Sequence, residues 1–222
     1  MHMSARFYWL MTAQILAVMA LASLYTLTQV GMEATLPIHW GANGQVNGVA
    51  PAPQALAILP LTVVGWAALM ALLARFSPSA AALARSGTAW RTACLSLTGM
   101  LALTHFALVG GALGHPVDMG RTHALIMGVF LILMGNVMGK VRQNGLLGIR
   151  TPWTRNDEWV WDQTHRFGGR LFVAGGFLLL ALTLWLPPAL IRGPRLTMAV
   201  LLPLALISVL RSYLYWRVRP SR

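Results

Sequence analysis

Acidic residues are nearly missing from this chain: Glu33, Asp118, Asp157, Glu158 and Asp162 are the only five in 222 residues, against 17 Lys and Arg. Charge of either sign is scarce as well. Charged residues make up 10% of the sequence, where a soluble domain carries about 25%. That shortage excludes a water-facing globule of this size, and the 57% hydrophobic content excludes intrinsic disorder. Cysteine is reduced to Cys94, so no internal disulfide staples the fold. No HExxH string is present, which removes the commonest zinc-protease arrangement.

What is present is long apolar sequence. A helix needs about 20 mostly apolar residues to cross the ~30 Å hydrocarbon core. Six runs qualify: Phe7–Val30, Ala55–Ala74, Thr92–Ala112, Thr122–Gly139, Leu171–Ile191 and Leu196–Trp216. None holds an acid, and none alternates with the period of two that barrel strands require. The expected fold is an all-α integral membrane protein with six transmembrane helices, since lipid tolerates only helices or closed barrels. The start of the first run, Phe7–Met19 followed by Ala20-Leu21-Ala22, has the look of a signal segment with a cleavage site. Its apolar stretch continues to Val30 and its basic flank is Arg6 alone, so the first helix is expected to be retained.

The formal charge of +12 would suggest nucleic acid on a soluble module. Here the basic residues stand between apolar runs, where they set topology, so no direct nucleic-acid contact is expected. With the N-terminus inside, fourteen Lys and Arg fall on the cytoplasmic side and three, Arg121, Arg192 and Arg195, fall outside. The positive-inside rule therefore predicts both termini in the cytoplasm.

Two connecting segments stand out. The outer loop 31–54 has no Lys or Arg, and contains Asn43-Gly44 and Asn47-Gly48, both tight-turn signals. Pro37, Pro51 and Pro53 oppose a helix there, so a compact turn structure is expected, with Trp40 near the headgroups. It forms part of an expected N-terminal two-helix unit, 1–75, followed by a four-helix region, 76–222. Pro37, His39, Trp40, Asn47 and Gly48 are its candidate recognition residues. His115, Asp118 and His123 on the same side are weak metal candidates, and no cofactor is expected.

The inner segment 136–170 holds three of the five acids, six basic residues and three tryptophans. Asn136, Lys140 and Asn144 recur at four-residue spacing, which a continued helix would place on one face. Pro152 forces Thr151 to be extended. Thr154 and Asp157 then start an interfacial helix, predicted to run from Arg155 to Phe167 and stop at Gly168-Gly169. Asp162 and Arg166 would pair along it. Trp159 and Trp161, two apart, cannot share a face, so one meets headgroups and the other meets protein. Gly135 and Gly139 form a GxxxG, which permits close helix approach.

This segment resembles the signature of the SdpI family, bacterial immunity and signalling membrane proteins. The resemblance rests on Asn136, the run Asn144, Gly148, Ile149, Arg150, Thr151, Pro152, Trp153 and Thr154, then Val160-Trp161 and Thr164-His165. The string Leu36-Pro37-Ile38-His39-Trp40 through Asn47-Gly48 resembles a short domain of unknown function that often precedes the SdpI region. Two positions depart from the pattern: Asn47, where relatives often carry an acid, and Arg155, where many have a small apolar residue.

The resemblance implies a non-enzymatic protein of the bacterial cytoplasmic (inner) membrane. Its expected role is immunity against a membrane-active peptide toxin outside, with a soluble transcriptional repressor as cytoplasmic partner. The site residues it points to are Asn136, Lys140, Asn144, Gly148, Arg150, Thr151, Pro152, Trp153, Thr154, Trp161, Thr164 and His165. Homo-oligomerisation stays open. The alternative is a small transporter or ion-coupled exporter with Gln14, His105 and Asn136 along its path. Third comes a metal-dependent membrane enzyme, without an identifiable nucleophile and base.

Overall fold

A computed structural model describes residues 3–115, 117–191 and 193–220. Two arginines of the topology count, Arg192 and Arg222, lie outside the described residues. Among the described residues, six long helices cross from one end of the bundle to the other: α1 (Ala5–Val30), α2 (Ala52–Phe76), α4 (Gly87–Ala112), α5 (Met119–Met138), α7 (Glu158–Trp185) and α9 (Arg195–Arg217). Each is long and apolar enough to span a membrane. Short helices α3 (Ala80–Arg85), α6 (Pro152–Asn156) and α8 (Pro188–Ile191) sit in the connections.

Local chemistry fixes the ends. The Ser4 hydroxyl accepts from the Phe7 amide, Asp118 from Arg121, and Asp157 from Val160, capping α1, α5 and α7. The fifth span differs from the predicted Leu171–Ile191. It begins at Glu158 and runs as one helix through Gly168-Gly169, so there is no separate interfacial helix. The two glycines pack instead of terminating. A Cβ on Gly169 would lie 2.6 Å from the Gly135 carbonyl oxygen, and one on Gly135 would lie 2.5 Å from that of Gly169. Seven residues along each helix the approach repeats, with Gly176 against the Gly128 carbonyl. The tightest helix pair of the bundle, α5 with α7, is therefore seamed by glycine. Gly139, the second member of the predicted GxxxG, takes no part: a Cβ there would make ordinary contact with Arg166.

Helix α4 bridges the bundle. One face packs with α1 and α2, the other with α5. In the first group Pro60 interrupts α2, leaving the Leu56 carbonyl without its helical donor. The Ser23 hydroxyl of α1 donates to that carbonyl at 3.1 Å, and His105 Nε2 of α4 lies 3.2 Å from both Ser23 Oγ and the Met19 carbonyl. A buried polar clip thus ties three helices together.

At the end where α1 leads into α2, segment 31–54 forms an antiparallel hairpin, β1 (Thr35–Trp40) with β2 (Val46–Pro51). Leu36 and Ala50 pack down on Ala55, Leu56, Leu108 and Val109. Asn43-Gly44 makes the turn, with Gly44 at φ 79°. Asn47-Gly48 does not; it lies within β2, where Gly48 pairs with His39. The opposite end of the bundle carries the signature segment.

Candidate functional site

The signature end is built by wrapping one extended segment around the first turns of α7. Helix α5 stops at Met138, so Asn136, Lys140 and Asn144 do not share a helical face. Asn136 and Lys140 are exposed. Asn144 sits in the loop that follows, accepting from the amides of Leu146 and Leu147 at 2.7 Å and donating to the Arg142 and Leu147 carbonyls. This side-chain turn reverses the chain toward α7.

The centre of the site is a stacked pair on α7. Trp161 and His165 are one turn apart, with ring centroids 4.1 Å apart and planes 19° from parallel, and both are fully buried. Each ring is tied to the wrapping segment. The Trp161 indole N–H donates to the Val141 carbonyl at 2.8 Å. His165 Nε2 accepts from the Ile149 amide at 2.9 Å, and its Nδ1 lies 2.8 Å from the Trp161 carbonyl. Accepting at one nitrogen and facing a carbonyl at the other fixes a neutral imidazole with the proton on Nδ1. Gly148 lies flat against the pair at φ 126°; a Cβ there would fall 2.2 Å from His165 Nε2 and 3.1 Å from the indole. Only glycine fits that backbone and that approach.

The next residues close the loop. Thr151 caps α6 in a reciprocal box with Thr154, whose hydroxyl also reaches the Ile149 carbonyl at 2.8 Å. The predicted cap at Thr154 thus moves to Thr151, while Asp157 caps α7. Trp153 donates its indole N–H to Ser212 of α9 and packs edge-on to Tyr213 at 5.3 Å. Thr151 also meets Ser212, at 3.3 Å. Thr164 is buried, and its hydroxyl has no hydrogen-bond partner among the described residues. Of the two adjacent tryptophans, Trp161 is the one enclosed by protein, while Trp159 is half-buried against Tyr215. The expected Asp162–Arg166 pair is replaced by Arg142–Asp162, and Asp157 faces Arg219, both at 3.8 Å.

Arg150 is the exception within the string. It is exposed between half-buried Ile149 and buried Thr151, and among the described residues no acid lies within salt-bridge distance of it. Pro152 is also exposed. Residues that sequence reasoning missed are Ser79, which accepts from the Gly145 amide, Ser86, which accepts from the Arg142 amide, and Ser212. All three come from distant parts of the chain, and no local pattern marks them.

At the hairpin end, His39 Nδ1 is hydrogen-bonded to Asn47 Oδ1 across the strands. His39, Trp40 and Pro37 line one wall of a cleft of about 510 Å³, with Ile58, Met119 and His123 among the facing residues. The weak metal candidates are not gathered. Asp118 spends its carboxylate on capping α5, His123 Nδ1 meets the Met119 carbonyl, and no cluster of three metal-binding side chains occurs among the described residues. The three residues of the transporter alternative face different surroundings: Gln14 and Asn136 are exposed on separate helices, whereas His105 is buried in the clip.

Residues 140–215 match the model of the SdpI/YfhL protein family. Over 107 residues the chain is 41% identical to "Immunity protein SdpI" of Bacillus subtilis (strain 168), a match covering 48% of this chain and 50% of that protein. The chain thus spans about half the length of the curated relative it matches. No solved structure matches it. The matched residues begin at Lys140 and take in the wrapping segment, the Trp161–His165 pair and most of α9, so the hairpin end lies outside them. The likeness to the SdpI/YfhL family thus covers the signature end of this multi-pass inner-membrane protein.

Proposed function

We propose that the protein is a non-enzymatic immunity and sensing protein that protects its cell from a membrane-active peptide. In this reading the hairpin end faces outward and meets the peptide, and the signature end faces the cytoplasm. The supporting comparison is the relative whose name is an immunity protein. The observation that carries the site assignment is the contrast inside the signature string. Gly148, Thr151, Thr154, Trp161 and His165 lock one another into place, and Arg150 projects from that frame without an acidic partner among the described residues. A planar, permanently charged guanidinium on a rigid mount suits recognition of a carboxylate on a cytoplasmic partner, such as a repressor. A peptide shifts this element only by binding two of its arrangements unequally.

The test is survival. Cells without a homologue express the wild type or Arg150→Ala at matched membrane levels and are challenged with membrane-permeabilising bacterial peptides. Protection by the wild type and its loss in the variant is expected. Protection by both would move the site to the hairpin, and protection by neither would refute immunity to those peptides.

A further inference from the structure

Helix α9 carries an arginine where a membrane-facing helix should avoid one. Arg211 is exposed, and its neighbours Ile207, Leu210 and Leu214 are exposed apolar residues of the kind that meet lipid. It stands 16 residues after Arg195, the first residue of the helix, which at 1.5 Å per residue is about 24 Å. The hydrocarbon core is ~30 Å thick. Both arginines therefore cannot clear the core by backbone position alone, and Arg211 lies at or just inside the boundary near the signature end.

The surroundings hold the guanidinium at that boundary. Its Cζ is 5.4 Å from the Phe167 ring of α7 and 5.1 Å from the Tyr215 ring, one turn nearer the helix end. Tyr215 is in turn braced edge-on by Trp159 at 6.1 Å. Aromatic faces attract the cation without neutralising it, and Tyr and Trp are the residues that settle at headgroup depth. No salt bridge to Arg211 forms among the described residues: Asp157 and Asp162 face Arg219 and Arg142. The rings leave the N–H edges of the fork free. A partner for it must be anionic, must reach it from the lipid side, and must lie at the depth of the phosphates.

We propose that Arg211, clamped between Phe167 and Tyr215, is a binding site for the phosphate of an anionic phospholipid such as phosphatidylglycerol. The site is independent of the immunity reading. Native mass spectrometry of the full chain released from detergent, with phosphatidylglycerol and phosphatidylcholine of identical acyl chains in competition, reads its preference. Wild type is expected to retain phosphatidylglycerol over phosphatidylcholine, and Arg211→Gln to reduce that preference about fivefold, the factor given by one juxtamembrane arginine. Arg217→Gln, an equal charge change at the helix end, is expected to reduce it less. Equal retention of the two lipids by the wild type overturns the site, as does equal loss in the two variants. Excess inorganic phosphate should not displace the lipid; displacement would assign the site to a free anion. If Arg211→Gln fails to fold, Tyr215→Leu removes one face of the clamp while keeping the charge. It should also lower the preference, and an unchanged value would refute the clamp.

Discussion

Replacing Gly135 by alanine tests whether the α5–α7 seam holds the bundle together. The added Cβ would fall 2.5 Å from the Gly169 carbonyl oxygen and 2.8 Å from the Val173 amide nitrogen, both backbone atoms that cannot rotate away. Ordinary contact begins near 3.4 Å, so the two helices must separate by the better part of an ångström. Overpacking of this kind costs about 1–3 kcal/mol. Separation also stretches the matching approach of Gly176 to the Gly128 carbonyl, where weak Cα–H···O contacts are worth ~0.5 kcal/mol each. For a chain of this length the expected fall in Tm is on the order of 2–4 °C per kcal/mol. Thermal unfolding in detergent, followed by tryptophan fluorescence, reads it directly. Gly139→Ala is the internal control, because its Cβ would find only Arg166 at 3.5 Å. If Gly135→Ala and Gly139→Ala melt together, close glycine packing does not carry this interface.

Three other substitutions probe separate links. Gly148→Ala drives a Cβ into His165 and forces a residue other than glycine to φ 126°; it should lower Tm by more than Trp161→Phe, as the same melting assay would show. Trp161→Phe keeps an aromatic ring beside His165 but orphans the Val141 carbonyl; the expected cost is about 1–2 kcal/mol, and a wild-type Tm would contradict the hydrogen bond. Ser23→Ala leaves the Leu56 carbonyl unpaired only because Pro60 removed its helical donor. It should therefore destabilise less in a Pro60→Ala background than alone, and a double-mutant cycle showing no coupling would reject the clip.

The six spans were legible because apolar length is a local property, and every predicted run overlaps its helix. Their ends were less so, and the largest error shows why. Gly168-Gly169 has the sequence of a helix stop, and in water it would favour one. In the bundle the same absence of side chains lets Gly135 approach, so packing across helices overrides the local tendency. Asn47-Gly48 fails for a related reason. The preceding Asn43-Gly44 turn sets the hairpin register, and Gly48 is then needed opposite His39, where a Cβ would sit 3.0 Å from that residue's own.

The signature string was visible as letters, but its logic is long-range. Gly148 is glycine because of His165, Trp161 is satisfied by Val141, and Thr151 and Trp153 converge on Ser212. Such residues specify a shape, and substituting them will impair any function by unfolding the frame. Arg150 contributes nothing visible to that frame, yet it occupies the middle of it. Loss of function at Trp161 would consequently say only that the site must be folded. Loss at Arg150 with an unchanged Tm would say that the site must touch something, and that difference makes Arg150 the informative position in the segment.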